Sequence, residues 1–121
     1  MLISTSLDTN LWKHIPFPSS DVTLLQLSGP YSKCTIVNIY NDCHSQSTLE
    51  TLDTFIESNV ATLRPTINDH VLWMGDFNRH HPLWEEMRHH HLFNYTAANP
   101  LIDLIANYGM IQLRCTGGEE P

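Results

Sequence analysis

The sequence predicts a globular α+β fold, because β-prone segments and amphipathic helical segments alternate along a chain of ordinary composition. The 121 residues are 41% hydrophobic and 16% charged, and they include only five Gly and seven Pro. Such a composition is typical of a packed protein and not of a disordered or collagen-like one. This length is enough for one domain at most. We therefore expect residues 1–121 to form a single domain with a frayed tail over residues 116–121.

Three segments in the first 75 residues predict β-strands. Residues 21–27 (DVTLLQL) are apolar and β-prone, residues 28–30 (SGP) favour a turn, and residues 34–40 (CTIVNIY) are rich in β-branched side chains. Together they predict a β-hairpin. The short apolar run at residues 71–74 (VLWM) predicts a further strand that is buried on both faces, since a helix would have to be longer.

Two amphipathic helices are predicted from apolar residues that recur every three or four positions. A Ser-x-x-Glu capping box at residues 47–50 begins the first, which should run to about residue 63. The second should run from about residue 97 to a stop at Gly109, and residues 110–113 then predict a last strand. The apolar stripes consist of Leu49, Leu52, Ile56, Val60 and Leu63 in the first helix and of Leu101, Leu104, Ile105 and Tyr108 in the second.

Charge and cysteine content argue against several classes of protein. Six Lys plus Arg against 13 Asp plus Glu give a net charge of −7, which is unfavourable for non-specific binding to nucleic acid by this chain alone. Three cysteines without C-x-x-C spacing indicate neither a disulfide framework nor a zinc ribbon. No secretion signal or long apolar run is visible, so we expect an intracellular protein that does not bind membranes. P-loop, G-x-G-x-x-G and G-x-S-x-G strings are also absent from the sequence.

Residues 77–96 lack a sustained period and predict a long loop that holds five of the eight histidines. Neutral imidazoles are common zinc ligands. However, a structural zinc site needs four converging ligands, and adjacent histidines on an extended loop point in different directions. We therefore favour a solvated loop over a metal site here. The five are His80, His81, His89, His90 and His91.

The residues best suited to chemistry follow the apolar run at 71–74. If the backbone stays extended, Asp76 and Asn78 project to the same side at the rim of the sheet, while Phe77 turns back into the core. A carboxylate can orient or deprotonate a water, and a carboxamide can hold that water, as in-line attack on phosphorus requires. Gly75 would allow a close approach by another strand or a substrate. The structural alternative is that Asp76 and Asn78 only cap a turn.

The string GDFNRHHPLW at residues 75–84, together with VNIYND at residues 37–42, resembles the endonuclease domain of non-LTR (LINE-like) retrotransposons. That domain lies within the endonuclease/exonuclease/phosphatase superfamily of metal-dependent phosphodiesterases, and the resemblance covers roughly residues 8–113. It implies a DNase I-like four-layer sandwich, in which two β-sheets pack face to face and carry helices outside. It also implies a Mg²⁺-dependent cut in a DNA strand, made in the nucleus, that primes reverse transcription.

The resemblance also implies roles for individual residues. Asp76 matches the aspartate that positions or deprotonates the attacking water, and Asn78 matches the asparagine that helps to hold nucleophile and phosphate. Tyr40 matches the tyrosine at a strand end whose phenol contacts the phosphate. Arg79 and His81, in the neighbouring loop, are candidate substrate-binding residues. Arg79 could meet a phosphate, although an exposed loop cation is the simpler interpretation.

Other parts of the family's site have no counterpart in the sequence. The metal-binding glutamate of an early strand is missing, and so is the closing Asp-His pair. The chain is therefore expected to be a central part of the sandwich, truncated at both ends. Mg²⁺ is usually held by one or two carboxylates plus substrate phosphate, so we expect weak metal affinity and little or no nuclease activity from this chain alone.

A second interpretation is a non-catalytic scaffold or interaction protein derived from that domain. A partial two-sheet sandwich would expose strand edges and a face of its core. Such surfaces could bind a protein partner or another copy of the chain. DNA is the partner that the resemblance implies, and we expect its binding to this acidic chain to be weak.

Overall fold

A computed structural model describes residues 1–112 of the chain. The described residues fall into two compact units, one covering residues 1–78 and the other beginning at Arg79. The first unit contains strands β1 (Trp12–Ile15), β2 (Val22–Ser28), β3 (Lys33–Tyr40) and β4 (His70–Asp76), a 3-10 turn (Thr9–Leu11), and helices α1 (Ser47–Ser58) and α2 (Val60–Leu63). The second contains a 3-10 helix (Met87–Leu92) and helix α3 (Tyr95–Asn107).

The four strands of the first unit form one sheet in the order β1-β2-β3-β4. Strands β2 and β3 pair in antiparallel fashion, which confirms the predicted hairpin, and β1 adds to the other side of β2. Strand β4 pairs parallel to β3, with α1 and α2 in the connection, so the predicted alternation of strand, helix and strand is confirmed. The described residues form a mixed α/β architecture with a single sheet, and the second sheet of a sandwich remains a prediction.

Buried polar side chains attach helix α2 to one face of the sheet. Gln26 Nε2 donates to Thr35 Oγ1 at 3.1 Å and to the carbonyl of Thr62 at 2.8 Å, and Thr35 Oγ1 donates to the carbonyl of Leu63 at 2.9 Å. These bonds satisfy carbonyls at the end of α2 that lack a partner within the helix. The surrounding core consists of Ile15, Val22, Leu24, Val37, Ile39, Leu49, Leu52, Ile56 and Leu63.

The first predicted helix is interrupted near its end. Asn59, with φ of −127°, separates α1 from α2, and the change of direction leaves Val60 exposed although it belonged to the predicted stripe. The predicted capping box is wrong, since Gln46 is the N-cap residue and makes no side-chain capping bond. Instead the backbone N–H of Ser47 donates to Ser45 Oγ at 3.0 Å.

Strand β4 is more exposed than its apolar sequence predicts. Leu72 is 37% exposed and Met74 is 45% exposed, so burial on both faces is wrong. Leu72 and Met74 are two residues apart and share one face of the strand, and the described residues leave that face largely uncovered. An apolar run indicates that a strand can be covered on both faces, but it does not say which segments of the chain cover it.

A buried carboxylate fixes the turn that leads into β4. Asp69 accepts hydrogen bonds from the backbone N–H groups of Lys33 at 2.7 Å and Thr66 at 2.8 Å, and from Thr66 Oγ1 at 3.1 Å. The bond from the Lys33 backbone does most to lower the pKa of Asp69 below its ordinary value, against the opposing effect of burial. Because Lys33 begins β3, Asp69 ties the starts of the two parallel strands together.

In the second unit, α3 confirms the second predicted helix. It begins two residues earlier than predicted, where Asn94 caps it by accepting from the backbone N–H of Ala97 at 3.0 Å. Gly109 has φ of +64°, the left-handed conformation expected at a helix stop. The predicted last strand is not formed at residues 110–112, and Leu113 and the tail at residues 116–121 lie outside the described residues. The predicted loop before α3 contains the 3-10 helix Met87–Leu92.

None of the helices in residues 1–112 is both long and apolar enough to cross a membrane.

Candidate active site

Strands β3 and β4 end side by side, and their last residues are Tyr40 and Asp76. These two residues are direct partners in the parallel register. Register partners lie opposite each other on neighbouring strands, which are about 4.8 Å apart. Both residues are exposed, and the side chain of Tyr40 is 58% accessible to solvent. The backbone positions that carry the phenol and the carboxylate are therefore neighbours at one accessible rim of the sheet.

Gly75 permits the close approach of these two strand ends. Its φ is +122°, and a Cβ atom placed on it would lie 2.0 Å from the carbonyl oxygen of Ile39. No side chain can occupy that space, so the close backbone approach predicted for this glycine is confirmed. The glycine of the GDFN string is required by the pairing of β3 with β4 immediately before Asp76.

Asn78 reaches the same rim by a different route from the one predicted. The strand ends at Asp76, and Asn78 has φ of +48°, so the extended backbone expected at this position is wrong. The backbone N–H of Asn78 instead donates to Asp76 Oδ1 at 3.0 Å in a turn. Asn tolerates this left-handed conformation better than most residues, because its side chain can form local hydrogen bonds. Phe77, between the two, is half-buried.

Asn41 is a residue of this site that sequence reasoning missed. It follows Tyr40 directly and is 0% exposed. Its backbone N–H donates to the carbonyl of Asp76 at 2.8 Å, and its own carbonyl accepts from Asn78 Nδ2 at 2.6 Å. Asn41 therefore links the end of β3 to the segment that carries the candidate acid and amide. The sequence offers two signals, its place immediately after a predicted strand and its position within the VNIYND string at residues 37–42.

Asp76 does cap a turn, as the structural alternative to a catalytic role predicts. This turn geometry still allows Asp76 to act as a catalytic carboxylate. Asp76 Oδ1 caps the turn, as an Asx residue often does. Among the described residues, Asp76 Oδ2 accepts no hydrogen bond, so it can still accept one from a bound molecule. A carboxylate with one oxygen fixed and the other accessible is suited to orienting a water.

The candidate substrate-binding residues belong to the second unit. Arg79 is only 6% exposed, and its Nε donates to the carbonyl of Ala97 at 3.0 Å, so the exposed loop cation considered from the sequence is wrong. The carbonyl of Arg79 accepts from Trp84 Nε1 at 2.7 Å. These bonds tie the start of the unit to Trp84 and to the first turns of α3. The phosphate contact assigned to Arg79 remains a prediction.

His81 is held by its own loop and by two aromatic rings. Its Nδ1 accepts from the backbone N–H of Leu83 at 3.0 Å, and its ring centroid lies 5.3 Å from that of Trp84 and 5.1 Å from that of Tyr95. Accepting at Nδ1 leaves Nε2 as the ring's N–H donor in the neutral form. The ring is therefore oriented to offer a donor, and its assignment to substrate binding remains a prediction.

The described residues do not form a magnesium site by themselves. Mg²⁺ requires near-octahedral oxygen coordination. Within residues 1–112, no group of three or more His, Cys, Asp or Glu side chains is placed to hold a metal ion, and the histidines of the 3-10 helix form none. At the strand ends, the identified donors are one carboxylate, Asp76, and the neighbouring amide and phenol.

Comparison with known proteins identifies the class of domain. The sequence profile of the endonuclease-reverse transcriptase family (Exo_endo_phos_2) matches residues 34–121, which is more than half of the chain and includes β3, β4 and the strand-end residues. No curated protein matches the chain, and no solved structure does. The chain belongs to the endonuclease-reverse transcriptase family, and it represents an endonuclease domain of the retrotransposon type within the endonuclease/exonuclease/phosphatase superfamily.

Proposed function

We propose that the ends of β3 and β4 form the nucleophile-positioning part of a DNA endonuclease site, and that this chain hydrolyses DNA phosphodiesters weakly. The observation that carries the proposal is the parallel register, in which Tyr40 and Asp76 are direct partners. Asn78 supports it, because its side chain is bonded to the carbonyl next to Tyr40. These two observations support the proposal that the three side chains act together at this rim.

Each side chain has a separate task in the proposed reaction. Asp76 orients the attacking water and accepts its proton, Asn78 helps to hold the water and the phosphate, and Tyr40 donates a hydrogen bond to a non-bridging phosphate oxygen. The water oxygen bonds to phosphorus as the bond from phosphorus to the 3′ oxygen breaks. That 3′ oxygen leaves with the bonding electron pair and takes up a proton from solvent water, which gives the 3′-hydroxyl end that a reverse transcriptase extends.

Slow turnover is part of the proposal. General acid-base catalysis contributes roughly 10²- to 10⁴-fold, whereas metal ions and transition-state electrostatics supply much of the remaining acceleration. The superfamily is generally metal-dependent, and the described residues offer a single carboxylate at this rim. The net charge of −7 further opposes binding of a polyanion. We therefore propose weak, Mg²⁺-stimulated nicking, with DNA in the nucleus as the substrate.

We further propose that both units belong to one endonuclease domain. The family match over residues 34–121 extends across the boundary between them at residues 78 and 79. The GDFN string ends in the first unit, whereas Arg79 and the two histidines that follow it lie in the second. A single domain explains why one continuous motif extends over both.

A plasmid-nicking assay with excess protein, low salt and Mg²⁺ tests the function. The chain is compared with Asp76→Ala and with Asp103→Ala, which removes an exposed carboxylate from α3 and serves as the matched control. We expect slow nicking by the wild-type chain and by Asp103→Ala, and a loss of about 100-fold or more in Asp76→Ala. The control is purified in the same way, so it also reveals any contaminating nuclease.

The same assay decides against the proposal if all three proteins are equally inactive, or if all three nick equally. Equal inactivity would favour the scaffold interpretation, in which exposed parts of the sheet bind another chain. Equal nicking would mean that the activity does not come from Asp76.

A further inference from the structure

The side chain and backbone of Asn41 together hold three consecutive residues of the candidate site. Its backbone N–H donates to the carbonyl of Asp76 at 2.8 Å. Its Nδ2 donates to the carbonyl of Phe77, also at 2.8 Å. Its carbonyl accepts from Asn78 Nδ2 at 2.6 Å. One fully buried residue thus contacts residues 76, 77 and 78 in order.

The peptide between Phe77 and Asn78 is fixed at both of its polar ends. Its oxygen accepts from Asn41 Nδ2, and its N–H donates to Asp76 Oδ1 at 3.0 Å. Because a peptide unit is planar, holding the oxygen also sets the direction of the N–H. The N–H in turn determines where Asp76 Oδ1 is held. The side chain of Asn41 therefore orients the carboxylate of Asp76 through a single rigid peptide.

Two unfavourable features occur together in this arrangement. Asn78 adopts φ of +48°, in the left-handed region that is unfavourable for most L-residues. Asn41 Oδ1 is buried and accepts no hydrogen bond among the described residues. A buried acceptor without a partner is unfavourable, and an apolar side chain of the same shape would avoid it. Such features concentrate at functional sites, where the geometry matters more than stability.

We propose that Asn41 is a positioning residue, whose side-chain amide sets the orientation of Asp76 and Asn78 without touching the substrate. The catalytic meaning of this inference rests on the function proposed above. The positioning itself is a property of the folded chain and can be measured whether or not the chain cuts DNA.

The test uses Asn41→Leu, which keeps the approximate shape of the side chain and removes both the donor to Phe77 and the unpaired Oδ1. The matched control is Asn59→Leu. Asn59 Nδ2 also donates to a backbone carbonyl, that of Phe55, at the same distance of 2.8 Å. Asn59 lies between α1 and α2. Both variants lose one equivalent hydrogen bond, but only one loses it beside Asp76.

The first readout is amide hydrogen exchange measured by NMR at Asn78 and, for comparison, at the core residue Val37. The quantity compared is the ratio of the Asn78 exchange rate to the Val37 exchange rate. We expect Asn41→Leu to raise this ratio at least about tenfold over the wild type, because the variant loses the net contribution of one hydrogen bond. In Asn59→Leu this ratio should not change. A change of equal size at both amides in Asn41→Leu would mean a general loss of stability and would overturn the proposal.

The second readout is nicking at saturating and limiting DNA. We expect Asn41→Leu to lower kcat by about tenfold or more with little change in KM, while Asn59→Leu retains the wild-type values. An unchanged kcat in Asn41→Leu would overturn the positioning role. If the wild-type chain does not nick DNA, the proposed function fails, and the exchange ratio still decides the positioning of Asn78.

If Asn41→Leu does not fold, NMR measurements on the wild-type chain test the proposal instead. A through-hydrogen-bond coupling between Asn41 Nδ2 and the carbonyl carbon of Phe77, together with slow exchange of the Asn78 amide, would support the proposal. Absence of that coupling, or an Asn78 amide that exchanges as fast as in an unfolded peptide, would overturn it.

Discussion

At the scale of single residues, Asn78 owes its conformation to contacts far away in the sequence. The sequence predicts an extended backbone that places Asp76 and Asn78 on one side by simple alternation. In the structure the strand stops at Asp76, and the side chain of Asn78 bonds to Asn41, 37 residues earlier. The amide and the acid are still brought together. No local pattern specifies that long-range bond, so the sequence predicts the partners but not the turn that joins them.

Gly75 provides a prediction about stability at the same scale. We expect Gly75→Ala to lower the free energy of unfolding by about 3 kcal/mol or more, because the new Cβ would meet the backbone of Ile39 and the residue would keep φ of +122°. Urea unfolding measures this change. The matched control is Gly109→Ala, where φ is +64° but no atom lies within 4 Å of the added Cβ.

The control should lose only the conformational term of about 1 kcal/mol. Equal losses in the two variants would mean that the close approach of Gly75 to Ile39 does not constrain this part of the sheet.

At the scale of elements, the periodicity of apolar residues was sufficient to predict an element where the local sequence pattern determines its structure. The hairpin of β2 and β3 and the helices α1 and α3 follow from local patterns of apolar residues. Strand β1 has no such pattern, since two of its four residues, Lys13 and His14, are exposed and polar. The parallel register of β3 with β4 could not be derived from sequence either. It depends on how the α1–α2 connection packs and on Asp69 at the start of β4.

Asp69 makes the stability of the β3–β4 connection depend on pH. Its pKa is lowered in the folded chain from an ordinary value of 3.8, so its carboxylate stabilises the fold above that value. This stabilisation is lost as the pH falls through the lowered pKa. We expect Asp69→Asn to unfold more easily than the wild type at pH 7, because the new amide presents N–H groups where Lys33 and Thr66 already donate.

Urea unfolding at several pH values checks this prediction. The difference between the wild type and Asp69→Asn should be largest at neutral pH and should shrink below about pH 4. Asp103→Asn, which removes an exposed carboxylate from α3, should differ little from the wild type at neutral pH. A difference for Asp69→Asn that stayed constant down to pH 2 would show that the charge of Asp69 is not involved.

At the scale of the whole molecule, the family match and the net charge have opposite implications. The match over residues 34–121 implies a domain that acts on nucleic acid, whereas a charge of −7 repels a polyanion. The two are reconciled if DNA contacts are few and confined to the rim formed by Tyr40, Asp76 and Asn78. Binding should then be weak, local, and lost at moderate salt.

The most direct test of this site is an NMR titration of the ¹⁵N-labelled chain with a short DNA duplex in low salt and Mg²⁺. We expect the amide signals of Tyr40, Asp76 and Asn78 to shift together, and added salt to reverse the shifts. Shifts confined to other parts of the chain, with these three signals unmoved at saturating DNA, would contradict the claim that the ends of β3 and β4 form the DNA-cleaving site.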